Sequence, residues 1–200
     1  DNKAYFPTYN IWLKRTSATG NFLMEKDHPD GVFWPYISSF DIHLCPVFPK
    51  ILKGTAWERT YNGTQVRGNY SMNSYLGNHG AIWSSWLGAG VTGVLKESEV
   101  TRPSGVAVFV EENPWTISLY SNYPLNDLHF TVGNANTQID NFGTFHNAAG
   151  TSYDDPKKGL NMGGSNLVFV DGHVEFLPRL ATKEDLDHEF RLCWPKRSVK

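Results

Sequence analysis

Ser165-Asn166-Leu167-Val168-Phe169-Val170-Asp171-Gly172-His173-Val174-Glu175-Phe176-Leu177-Pro178 reads as a β-hairpin. Two apolar-rich runs flank Asp171-Gly172, and Asp-Gly is suited to a two-residue type I′ turn, which needs φ > 0 at both central positions. That turn predicts a register. Phe169 faces Val174 and Leu167 faces Phe176, so these four side chains share one face. Val168, Val170, His173 and Glu175 take the other. Slipping the pairing by one residue would turn the apolar set of one strand outward.

Outward from the hairpin, the chain punctuates itself with turn residues. Gly105 to Glu111 is an apolar run between Pro103-Ser104 and Asn113-Pro114, the pattern of a buried strand. Gln65–Met72, Trp115–Tyr120 and Leu128–Val132 are further strand candidates, as is Phe40–Cys45, halted by Pro46. Phe33-Trp34-Pro35 suits the start of a short helix. Residues 133–164 are rich in Asn, Gly, Thr, Asp and Ser and read as a long loop. After the hairpin, Thr182 suits an N-cap. A short helix from Lys183 to about Leu192 would carry Leu186, Phe190 and Cys193 on one stripe. Neither a repeat nor a linker interrupts residues 1–200, which are expected to form a single domain; plentiful aromatics, Gly and Asn favour a loop-rich β or α+β domain over a helical bundle, with α+β the class expected.

Composition narrows the function. The 200 residues carry a net charge of −2 with no basic stripe, so the electrostatic footprint of a nucleic-acid binder is missing. The sequence has no apolar run long enough to span a bilayer. Cys45 and Cys193 admit two readings: a disulfide, which would add roughly 2–4 kcal/mol, or two separate buried thiols.

Five segments, in this order, carry a resemblance to a known family. They are Asp1-Asn2-Lys3-Ala4-Tyr5-Phe6-Pro7, the run Phe40 to Cys45-Pro46, and Tyr70-Ser71-Met72-Asn73. Pro103-Ser104 with the strand ending in Glu111 is the fourth. The fifth is Phe145-His146 followed by Asn166-Leu167-Val168-Phe169-Val170-Asp171-Gly172-His173-Val174. Together they resemble the prepilin-type, processing-associated pseudopilins, relatives of type IV pilins and type II secretion pseudopilins. His146, Asn166, Phe169, Asp171, Gly172 and His173 match the closing motif of that family. The spacer between His146 and Asp171 is longer than the family pattern, as an insertion around residues 151–163 would make it.

The resemblance implies a pilin-like head: an antiparallel sheet, long loops, the C-terminal hairpin and a small C-terminal helix. It further implies a non-enzymatic subunit of a secretion or pilus-like assembly, with no cofactor. Such a subunit begins with a leader and an apolar helix ahead of the head. The helix anchors it in the inner membrane and joins it to other pseudopilins, while the head faces the periplasm. The head alone is expected to be monomeric.

Other constellations compete with this reading. Trp83, Trp86 and Trp115 suggest a secreted carbohydrate-binding β-domain, since aromatic faces bind sugars. His146, Asp171 and His173 suggest a metal-dependent hydrolase. The pairs His43/Cys45 and His173/Glu175 could each offer two ligands on one side of a metal, but neither has a second pair to complete a structural zinc site. Asp140, Asp154 and Asp155 in the polar loop could offer oxygens to calcium, without EF-hand spacing. Glu111 and Glu112 are adjacent on a strand and point to opposite faces, so they do not serve one acid–base site; they read as a strand-end charge pair.

Overall fold

The computed structural model describes residues 5–7, 31–52, 68–77, 93–112, 129–130, 142–143, 145–146, 163–178 and 192–196. The expected strand Trp115–Tyr120, the tryptophans 83, 86 and 115, and Asp140, Asp154 and Asp155 lie outside these residues. So does the C-terminal helix, apart from Leu192 and Cys193, which are helical.

Four strands form an antiparallel sheet: β1 (Tyr70–Asn73), β2 (Ala107–Glu111), β4 (Gly164–Phe169) and β5 (Val174–Pro178). A two-residue strand, β3 (His129–Phe130), adds to β1 in parallel, giving the order β3-β1-β2-β4-β5. Helix is sparse among the described residues. It comprises α1 (Phe48–Leu52), the helical Leu192 and Cys193, and three 3-10 turns at Phe40–His43, Glu97–Glu99 and Pro103–Gly105. The strands fall where β-branched and aromatic residues concentrate, and β2 starts directly after the Pro103 turn that the sequence marks.

Alternation along the strands gives the sheet two covered faces. On the first, Met72, Val106, Cys45, Phe48, Leu76, Val94, Val100 and Phe145 form one buried cluster. On the second, Tyr75, Ala107, Val110, Phe130, Phe142, Leu167, Phe169 and Cys193 form another. Phe130 and Phe142 stack there with centroids 4.8 Å apart. Cys45 and Cys193 are not joined by a disulfide in this structure; they lie buried in the clusters on opposite faces of the sheet.

The hairpin forms, but its register is corrected by one residue. Val168 pairs with Val174, Leu167 with Glu175 and Asn166 with Phe176. The loop is Val170-Asp171-Gly172, closed by Phe169 N–H donating to His173 O at 2.9 Å, with Gly172 N–H donating to Phe169 O at 2.9 Å. Gly172 has φ +89°, so the loop is a turn followed by a left-handed glycine, the three-residue alternative to the type I′ turn. The longer loop rotates β5 by half a pleat. Leu167 and Phe169 stay in the second-face core and gain Leu177 as a neighbour, whereas Val174 and Phe176 move to the first face and remain exposed. The loop also repays itself locally: the His173 ring stacks on Phe169 at 4.2 Å, and Asp171 Oδ1 accepts the His173 N–H.

Two further expectations change. Phe40–Cys45 is not a strand; Phe40–His43 curls into a 3-10 turn, with His43 Nδ1 bonded to Ser39 O at 3.0 Å and its ring stacked on Trp34. A short side-chain-to-backbone bond of this kind competes with extended pairing. The segment at Phe33 closes a single turn, with Ile37 N–H donating to Phe33 O, and does not propagate as a helix.

Candidate functional site

On the first face, the ends of three separate segments converge. Glu111 ends β2 and is fully buried. His146 is brought beside it by a backbone bridge to Gly164, in which each residue's N–H donates to the other's carbonyl, at 3.1 and 2.9 Å. Cys45 sits just before α1, and its own N–H donates to Asn69 Oδ1 at 2.7 Å. The side chains then meet: His146 Nε2 lies 2.8 Å from Glu111 Oε1 and 3.4 Å from Cys45 Sγ.

Further bonds fix this group. The other Glu111 oxygen, Oε2, accepts the Asn166 backbone N–H at 2.7 Å, and the Glu111 carbonyl accepts the Gly143 N–H at 2.6 Å. The Tyr70 phenol lies beside this group; burial, then the neighbouring Cys45 thiol and Glu111, push it well above its ordinary range. Burial, reinforced by the Glu111 carboxylate, pushes the Cys45 thiol up to about 11, against some relief from the backbone N–H of Val47.

This arrangement argues against a nucleophilic cysteine. A thiolate relay needs the acid on one imidazole nitrogen and the thiol on the other. Here Glu111 and Cys45 address the same nitrogen, and the thiol is held protonated at neutral pH, the opposite of an activated cysteine. The constellation of His146, Asp171 and His173 does not assemble either. Asp171 and His173 pair at the exposed hairpin tip, at 2.5 Å, while His146 is beside Gly164 at the far end of β4. The strand from Gly164 to Phe169 alone separates them by about 17 Å.

The remaining sequence candidates separate cleanly. His43 is committed to Ser39 O and Trp34 and is not a partner of Cys45. His173 Nε2 and Glu175 Oε2 are 3.9 Å apart in the open. Glu111 and Glu112 do point to opposite faces, but neither is a solvated strand-end charge: both are buried, and Glu112 Oε2 accepts the Ser71 hydroxyl at 2.5 Å on the second face. Of the closing motif, Asn166 and His146 support Glu111, Phe169 fills the second core, and Asp171, Gly172 and His173 shape the hairpin loop. Glu111, read from the sequence only as a strand-end charge, is the residue whose role at the site was missed. Its signal was a carboxylate at the end of an otherwise apolar run, a position where burial demands partners.

Beside the cluster, an apolar groove of about 470 Å³ runs over the first face. Its floor is Tyr70, Phe109, Asn166, Val168 and Val174, and its wall is the segment from Phe33 to His43. Tyr70 therefore belongs to both the groove and the Cys45 group. Among the described residues, no helix is long and apolar enough to cross a membrane. No protein family, curated protein or solved structure matches the chain.

Proposed function

We propose that this chain is the globular head of a pilin-like subunit, a non-enzymatic pseudopilin of a type II secretion or type IV pilus-like assembly, of α+β class. The observation that carries the reading is the use made of the motif residues. Asn166 and His146 tie β4 and the segment before it to Glu111, and Asp171-Gly172 closes the hairpin. These are joints of a scaffold, and a thiol held protonated beside them suits a structural role better than turnover. In this reading an apolar helix ahead of the head anchors the subunit in the inner membrane. The head then faces the periplasm and contacts neighbouring subunits.

The test is to read the coding sequence upstream of Asp1 and to follow the native product in cell fractions. The expected result is a short basic leader followed by about twenty apolar residues, enough to span a bilayer. Leader removal should leave the protein in the inner membrane. A conventional signal peptide and a freely secreted product would sink the proposal, and would favour the carbohydrate-binding alternative.

A further inference from the structure

We propose that Cys45, Glu111 and His146 form a binding site for one divalent transition-metal ion, with zinc the ion that best suits a thiolate, an imidazole and a carboxylate together. The proposal is independent of the pilin-like reading.

Three observations carry it. The first is convergence: one donor atom from each residue lies within 4.8 Å of the other two, although the residues come from three distant segments. Zinc–ligand bonds of the usual lengths at tetrahedral angles predict edges of about 3.6 Å between sulfur and nitrogen and about 3.4 Å between nitrogen and oxygen. The observed Sγ to Nε2 distance, 3.4 Å, is close to the first. The Nε2 to Oε1 distance of 2.8 Å is that of a proton-bridged pair, and it must open by about 0.6 Å to reach the tetrahedral edge when the ion replaces the proton.

The second observation is the shell around the ligands. Glu111 Oε2 is held by the Asn166 N–H, which leaves Oε1 directed at His146. The backbone N–H of Val47 favours the thiolate form of Cys45, as suits a metal-bound sulfur. Outer bonds of this kind orient ligands before the ion arrives.

The third is access combined with burial. Glu111 and Cys45 are buried, whereas the His146 side chain is 19% exposed and gives the ion a route in. Three protein ligands leave a fourth position for water or an incoming donor. The two-residue pairs visible in the sequence, His43/Cys45 and His173/Glu175, are not this site. It takes one member of the first pair and two residues from elsewhere.

Full-length chain stripped with a chelator is titrated with cobalt(II) and then zinc(II). One equivalent of cobalt should produce a thiolate-to-metal charge-transfer band that zinc abolishes. Cys45→Ser should remove the band, and His146→Gln should weaken binding by at least about 100-fold, beyond the loss typical of an outer-shell partner. Cys193→Ser and His173→Ala should leave both unchanged, which separates this site from the second thiol and from the exposed hairpin tip. A second measurement on the wild-type chain needs no folded variant: zinc should slow alkylation of Cys45, mapped by mass spectrometry, and leave Cys193 unaffected. Absence of the band from the wild type, its survival in Cys45→Ser, or Cys45 alkylation indifferent to zinc would each overturn the proposal.

Discussion

The Glu111 carboxylate accepts the backbone N–H of Asn166 at 2.7 Å, a side chain standing in for a rung of the β2–β4 ladder. The pairs Val110–Leu167 and Phe109–Val168 lead straight to this position. Glu111 thus completes the sheet with one oxygen and holds His146 with the other. Replacing it tests both bonds at once. Glu111→Gln keeps the shape but weakens two charge-assisted bonds and should cost about 1–3 kcal/mol. Glu111→Leu leaves the half-buried Asn166 N–H and imidazole without this acceptor, and the loss should exceed that of Glu111→Gln, approaching about 3 kcal/mol, the lower end for removing one partner of a buried pair. Urea denaturation followed by circular dichroism measures both. Equal stability of the two variants would show that the carboxylate contributes only its volume.

Cys45 makes a pH prediction. Its thiol rises from an ordinary 9.0 to about 11 in the folded chain, first because it is buried and then because Glu111 lies beside it. The folded state therefore binds this proton more tightly than the unfolded state. The contribution is fully present below pH 9 and is lost as pH rises toward 11, with a slope of at most about 1.4 kcal/mol per pH unit. Metal-free protein should lose stability over this window, and Cys45→Ala should flatten the early part of the fall. Tyr70 and Tyr75, both shifted upward by burial, add to the decline in the more alkaline part. A profile that rises between pH 9 and 11 would contradict the buried, protonated thiol.

The strands of the hairpin were legible because Leu167 and Phe169 alternate with less buried neighbours and because Asp171-Gly172 is turn chemistry. The register was not, since the same letters fit a two- or a three-residue loop. What decides it lies elsewhere: Leu177 reaches the cluster of Leu167, Phe169 and Cys193, and His173 finds the face of Phe169. Likewise the sequence shows that Glu111 and Glu112 diverge, but not that both are buried. The partners of Glu111, His146 and Asn166, stand 35 and 55 residues away, and no local pattern connects them. Phe40–Cys45 failed as a strand for a local reason, the bond from His43 back to Ser39, which an apolar run does not reveal.

Gly164 is needed for space. A methyl group there would run into the Leu177 carbonyl oxygen and come within 2.6 Å of the Phe176 ring. The same residue also pairs with Pro178 and bridges to His146, so neither strand can simply back away. Gly164→Ala should cost about 1–3 kcal/mol, the usual range for forced overpacking. Each kcal/mol corresponds to roughly 2–4 °C in Tm for a chain of this size. The double variant Gly164→Ala/Phe176→Ala should recover part of the loss by removing the ring from the path. Differential scanning calorimetry distinguishes the two, and a Tm in the single variant equal to wild type would refute the steric account.

At the hairpin tip, Asp171 and His173 form an exposed pair at 2.5 Å. The side-chain bond from His173 is the largest cause holding the Asp171 carboxyl below its usual range, helped by the His173 backbone N–H. A carboxyl with a depressed folded pKa stabilises above its unfolded value of 3.8, and that contribution disappears as pH falls through the folded value. His173→Phe deletes the bond while keeping a ring to stack on Phe169. The Asp171 pKa, followed by NMR of its side-chain carbon, should move up toward the ordinary value. Stability at neutral pH should change little, because exposed pairs are screened by solvent. Gly172→Ala acts on the same loop by a different route: at φ +89° a β-carbon is strained, and about 1 kcal/mol should be lost at every pH. An unchanged Asp171 pKa in His173→Phe would mean that the backbone of the turn, and not the imidazole, sets its acidity.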